Sequence, residues 1–100
     1  MAGMKDQMAL VMKLKKAQKE LSKEVVEVEA GDGAVVIQIN GELKIVSVEF
    51  NEEIISENNI SYSELAGYVK AAVRDGLKEA QEVAAEKMKP LMGGLGQLGL

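Results

Sequence analysis

The sequence has no cysteine, no histidine and no tryptophan, and only one proline and one phenylalanine in 100 residues. Without cysteine, disulfides and thiolate metal sites cannot form. Without histidine, the commonest general base and the commonest metal ligand are both missing. No nucleophile stands beside a base. The carboxylate pair Glu52-Glu53 falls in a connecting segment, and Gly93-Gly94-Leu95-Gly96 follows a helix instead of joining a strand to one, so it is not a dinucleotide fingerprint. The expectation is a non-enzyme with no catalytic residues, no metal, no cofactor and no small-molecule substrate. No run approaches the roughly 18 apolar residues that cross a bilayer, and the Met-rich start lacks a small-residue cleavage site, so the sequence predicts a cytoplasmic protein with no membrane partner.

Hydrophobic residues make up 47% of the chain and charged residues 28%, the balance of a folded protein and not of a disordered one. A chain of this length buries roughly 65% of its unfolded surface, which supports one domain with a thin core. A long helix projecting from such a domain calls for a second subunit. Charge is distributed unevenly. Up to Lys23 there are six lysines (Lys5, Lys13, Lys15, Lys16, Lys19 and Lys23) against Asp6 and Glu20, a net +4, while residues 24–100 carry six bases against fourteen acids, a net −8.

Residues 4–24 read as a helix, because Leu10, Leu14, Ala17 and Leu21 recur at helical spacing with no Gly or Pro after Gly3. These four fall within an arc of about 60°, and the six lysines spread over about 160° on the opposite side. The period then changes. Residues 25–30, 34–40 and 43–50 are rich in Val and Ile and partly alternate, so they read as three strands. Gly31-Asp32-Gly33 and Asn40-Gly41 between them supply the positive φ of tight hairpins, which predicts an antiparallel meander. One buried face would hold Val26, Val28, Val35, Ile37, Ile39, Val46, Val48 and Phe50. The polar residues Glu27, Glu29, Gln38, Lys44, Ser47 and Glu49 do not all fit the other face, which leaves the register open by one residue.

Residues 51–60 read as an acidic, Asn-rich connection. Ser61 and Glu64 then form a capping box, with Ile60 and Leu65 placed as its staple, and a second long helix follows. Its apolar face includes Ala72, Gly76, Ala80 and Ala84 at every fourth position, a small-residue ridge that lets a sheet or helix approach closely. The helix should weaken near Pro90. Residues 93–100 are too glycine-rich for regular structure and read as a flexible tail to a single domain of residues 1–92.

Three surface features could carry function. The lysine arc of the first helix suits a repeated anion such as a phosphate backbone, since it has little acid to match it; an ordinary solvated helix surface is the bland alternative. Lys70, Arg74 and Lys78 form a second ridge, which pairing with acids from elsewhere in the fold would explain without a ligand. Met4, Met8 and Met12 lie near the lysine sector, so some apolar surface beside the cationic face is expected, with a second subunit as its cover.

Several local runs occur in this order: Met12-Lys13 and Ala17-Gln18-Lys19, then Val46-Ser47-Val48, then Val69-Lys70-Ala71-Ala72-Val73-Arg74-Asp75-Gly76-Leu77, Glu86-Lys87-Met88 and Gly93-Gly94-Leu95. In this order and spacing the chain resembles the YbaB/EbfC family of bacterial nucleoid-associated proteins over nearly its whole length. The resemblance implies an α+β fold of order α-β-β-β-α and a homodimer with protruding helical arms. It further implies double-stranded DNA as partner and a nucleoid location. Lys13, Lys15, Lys16, Lys19 and Lys23 on the first helix, with Lys87 and Lys89 near the end of the second, would contact DNA phosphates. Gly76 departs from the alanine usual in the family, and an exposed glycine there would cost about 1 kcal/mol of helix stability. The acidic remainder of the chain would repel DNA from everything except the arms. With a single arginine, base readout at guanine is not expected. The competing expectations are a dimeric interaction module for an acidic protein, and a scaffold dimer with no ligand on its arms.

Overall fold

The computed structural model describes residues 4–97, with side chains for residues 7–90. The elements are α1 (Met4–Lys23), β1 (Val25–Ala30), β2 (Val35–Asn40), β3 (Ile45–Phe50), α2 (Glu52–Glu57) and α3 (Tyr62–Gln97). The α-β-β-β-α order expected from the sequence is present, with one short helix added. The molecule measures 67 × 19 × 16 Å, an elongation set by the 36-residue α3, which overshoots the sheet.

The sheet is an antiparallel meander in the order β1-β2-β3. Val26, Val28 and Ala30 stand opposite Ile39, Ile37 and Val35, which in turn stand opposite Ile45, Val48 and Phe50. Between Gln38 and Ile39 the β2–β3 register shifts by one residue. Gln38 pairs with Ser47 but Ile39 pairs with Ile45, leaving Val46 as the extra residue of a β-bulge. This bulge is why the polar residues refused a strict alternation. Glu27, Glu29, Gln38, Ser47 and Glu49 do share the outer face, and Lys44 belongs to the turn.

α3 lies across the inner face and packs on β1 and β2. Val35, Ile37, Ile39, Ala72 and Ala80 form the buried core, joined by the half-buried Val26, Val28, Leu65, Val69, Val73 and Leu77. The small-residue ridge performs as its spacing implied. Ala72, Gly76 and Ala80 are buried against the sheet, and a Cβ on Gly76 would lie 2.6 Å from Ile39 Cδ1 and 3.0 Å from Val28 Cγ2. Glycine at this position is a packing requirement and not an exposed weakness in the helix.

Four local expectations need correction. Val46, Val48 and Phe50 are exposed within one chain, because α3 covers only two of the three strands. The connection 51–60 contains α2, whose N-cap Asn51 accepts from the Ile54 N–H at 3.1 Å, with Glu52 and Glu53 favourably placed in its first turn. In the β2–β3 turn the positive φ belongs to Leu43 (66°), not Gly41, whereas Gly31 and Gly33 behave as expected with φ of 65° and 92°. Finally, α3 continues through Pro90 to Gln97, so residues 93–97 are helical; Pro90 is exposed, and water can satisfy the Glu86 carbonyl that loses its partner. Residues 98–100 of the expected tail lie outside the described residues. Among the described residues no helix is long and apolar enough to cross a membrane.

Candidate nucleic-acid interface

The lysine-bearing helix is fixed to the body at its C-terminal end. The last four carbonyls of any α-helix lack intrahelical donors. Here the β2–β3 turn supplies two. The Gly41 N–H donates to the carbonyls of Leu21 and Glu24, each at 2.9 Å, and Asn40 Nδ2 donates to the Ser22 carbonyl at 3.4 Å. Asn40 Oδ1 in turn accepts from the N–H groups of Glu42 (2.9 Å) and Lys44 (3.1 Å), which holds the turn itself. Leu21 is buried beside it. The approach is close enough that a Cβ on Gly41 would lie 2.8 Å from the Leu21 carbonyl oxygen. Asn40 and Gly41 therefore position the arm, a role that the Asn-Gly pair, read as turn chemistry alone, did not announce.

From this anchor α1 runs alongside α3, with Leu10, Leu14 and Ala17 half-buried and the lysines outward. The lysines fall into two groups. Lys13 and Lys16 line a groove between the helices together with Ala17, Glu20 and Lys87. Lys15, Lys16 and Lys19 line a second concave surface with Met12, Gln18 and Glu42, facing the β2–β3 turn. Lys16 borders both. Lys23 sits in the last turn of α1, where its charge also complements the negative end of the helix dipole. Lys89 is exposed on α3. Among the described residues no ion pair holds Lys13, Lys15, Lys16, Lys19, Lys23 or Lys89.

Lys87 differs. Its Nζ lies 3.0 Å from Glu24 Oε1, and the hydrogen bond and charge of Glu24, aided by the charge of Glu20, raise its pKa above the ordinary lysine value. It reaches the same groove as Lys13 and Lys16 with its charge already answered. Sequence reasoning assigned no role to Glu24. The two are 63 positions apart, and only the packing of α1 on α3 brings them together.

Beside the lysines the predicted apolar surface is present. Met8 and Met12 are 63% and 69% exposed and line a shallow concavity with Gln7, Val11 and Lys15. The second basic ridge has no cross-helix partners among the described residues. Arg74 contacts only its neighbour Asp75, at 3.4 Å, and Lys70 and Lys78 face solvent. No group of three or more potential metal-binding side chains occurs among the described residues.

Comparison with known proteins follows the same lines. A family model described as the YbaB/EbfC DNA-binding family matches residues 1–95. A nucleoid-associated protein of Syntrophobacter fumaroxidans is 37% identical over 92 residues, covering 92% of this chain and 82% of that protein. One of Chloroflexus aggregans is 36% identical over 82% of this chain and 80% of its own length. A solved structure of an uncharacterized protein from Helicobacter pylori superposes with a TM-score of 0.71 at 14% identity, covering 86% of this chain and 88% of its own, and shares the fold.

Proposed function

The chain belongs to the YbaB/EbfC DNA-binding family, and from that membership we propose that it is a nucleoid-associated protein that binds duplex DNA as a homodimer, through phosphate contacts from the lysine face of α1. The observation that carries this reading is the unpaired cluster of Lys13, Lys15, Lys16 and Lys19 on an arm attached to an otherwise acidic body. Lys13 to Lys23 span about 15 Å of helix, over which a duplex presents about nine phosphate charges, so four to six lysines can each meet one.

Little sequence preference is expected. A lone helix fits the major groove, which is about 12 Å wide, but α1 carries α3 along its flank, and two packed helices are too broad to enter together. The pair lies across the groove and meets the phosphates at its edges. The single arginine, Arg74, is on α3 beside Asp75 and not on the lysine face. With about four to six phosphate contacts per protomer, affinity should fall by about two to three decades between 50 and 200 mM salt.

Fluorescence anisotropy with a labelled random duplex tests this. Changing Lys13, Lys16 and Lys19 to glutamate should abolish the steep salt dependence and most of the affinity while the circular dichroism spectrum stays that of the parent. Full affinity in that variant would place the DNA site elsewhere. The second reading, an acidic protein partner, is favoured by the exposed Met8, Val11 and Met12 beside Lys15. It gains if no DNA binding occurs even at 50 mM salt.

A further inference from the structure

We propose that Lys70, Arg74 and Lys78 on the back of α3 form a second phosphate-binding surface, through which the protein held on one duplex by α1 captures a second duplex. The proposal rests on the duplex-binding reading above and extends it from coating DNA to bridging it.

The three cations stand at every fourth position of α3, on a line about 12 Å long, over which a duplex presents about seven phosphate charges. Like charges at this spacing repel one another, so such a ridge calls for acids from another element. Among the described residues none is supplied. Lys70 and Lys78 face solvent, and Arg74 meets only its neighbour Asp75, at 3.4 Å, with the two side chains 74% and 62% exposed. A pair so exposed contributes at most about 1 kcal/mol, and a phosphate, which accepts two guanidinium hydrogen bonds at once, can replace Asp75. Glu79 and Glu82 follow the same flank of the helix as Asp75, so a duplex on the ridge lies toward the other flank.

Direction separates this surface from the first. Ala72, Gly76 and Ala80 turn toward the sheet, and at 100° per residue Lys87, which meets Glu24 at the end of α1, lies within about 20° of Gly76. The sheet and α1 therefore share one side of α3. Arg74, in the middle of the ridge, is about 160° from Gly76 and faces the other side. On α1 the lysines lie opposite Leu10, Leu14 and Ala17, which pack toward α3. Two cationic surfaces thus look outward from opposite sides of a body 19 × 16 Å in cross-section. DNA has a persistence length of about 50 nm and cannot fold round so small a body, so each surface meets its own duplex.

The neighbours of the ridge select DNA over an acidic protein. A protein partner takes an apolar anchor at the centre of its contact. Among the described residues the only large apolar side chain broadly exposed on α3 is Tyr62, more than two turns before Lys70, and the exposed residues that complete the strip are Gly67 and Gln81. A phosphate backbone needs only charge and hydrogen-bond donors. Three contacts alone bind weakly, and they become effective because protein already held on DNA meets the second duplex at raised local concentration.

An immobilised duplex, a free labelled duplex and the full chain at about 50 mM salt provide the test. The parent should retain labelled duplex on the immobilised one. Neutralising the ridge with Lys70→Gln, Arg74→Gln and Lys78→Gln should cut that retention at least about tenfold, while anisotropy shows affinity for a single duplex within about threefold of the parent. The three side chains are exposed and glutamine is a good helix former, so circular dichroism should show the variant folded. Retention at the parent level in the variant, or a parent that binds the immobilised duplex and retains no second one, would overturn the bridging surface and leave DNA binding by α1 intact. A tenfold loss of single-duplex affinity would show that both surfaces share one duplex and would overturn it as well. With labelled poly-glutamate in place of the free duplex, ridge-dependent capture of the polypeptide without capture of DNA would assign the ridge to an acidic protein instead. A parent that binds no duplex at all would overturn both readings.

Discussion

Lys87 Nζ lies 3.0 Å from Glu24 Oε1, which joins the far half of α3 to the residue that follows α1. Both side chains are solvent-accessible, so the pair adds little to stability. Its effect is on which lysines can act. Lys13 and Lys16 share a groove with Lys87, but Lys87 enters it with an acid attached and Glu20 nearby.

Replacing Glu24 with glutamine should therefore strengthen DNA binding. The freed Lys87 becomes available to a phosphate, and affinity at 50 mM salt should rise severalfold, with the salt slope steeper by about 0.9. Anisotropy titrations at several salt concentrations measure both quantities. Weaker binding would mean that the pair serves to hold α1 in place and not to restrain Lys87.

With the α-amino group blocked, DNA affinity should change by less than about twofold between pH 6 and 9, because the chain has no histidine to titrate there. The raised pKa of Lys87 has a definite sign for stability. The Glu24 pairing contributes fully below the ordinary lysine value of 10.5 and is lost as pH rises through the higher folded-state value. Its contribution to unfolding should thus fade only above about pH 10.5, and Glu24→Gln should remove that alkaline component. Denaturation midpoints measured from pH 7 to 11 provide the check.

Gly41→Ala should loosen the arm. The new methyl meets a backbone oxygen, Leu21 O, that no side-chain rotation can clear, and the two hydrogen bonds from the Gly41 N–H to Leu21 and Glu24 must stretch. A loss of about 1–3 kcal/mol is expected. Hydrogen exchange should show it as reduced protection in the last turn of α1, with the β1–β2 pairing unaffected.

Gly76→Ala sets two effects against each other. Helix propensity favours alanine by about 1 kcal/mol, but the methyl would press on Ile39 Cδ1 at 2.6 Å and Val28 Cγ2 at 3.0 Å, and Ile39 is wholly buried. Overpacking should win by about 1 kcal/mol, lowering the melting temperature by about 4–8 °C. Combining it with Ile39→Val, which removes the obstructing methyl, should recover part of the loss. A more stable Gly76→Ala would show that α3 can rise from the sheet at little cost.

The sequence by itself determined those features that depend on neighbours along the chain. Leu10, Leu14, Ala17 and Leu21 set one side of α1 against its lysines. Ser61 set the start of α3, its Oγ accepting from the Glu64 N–H at 3.1 Å, and Ala72, Gly76 and Ala80 made a smooth ridge for the sheet. Periodicity and capping are local, so they can be read locally. Asn51-Glu52-Glu53 carried the cap and dipole signals for α2 as well, but its single turn and a half gave too short a period to stand out. The tertiary structure alone decided which apolar face receives a cover and which charge receives a partner. Val48 and Ile37 carry similar hydrophobic signals and stand opposite one another, yet only Ile37 lies beneath α3. Lys16 and Lys87 are both lysines on helices, yet only Lys87 meets a carboxylate, 63 positions away along the chain. Burial and pairing depend on the width of a helix against the width of a sheet and on where two distant segments cross, distances that exist only once the chain has folded.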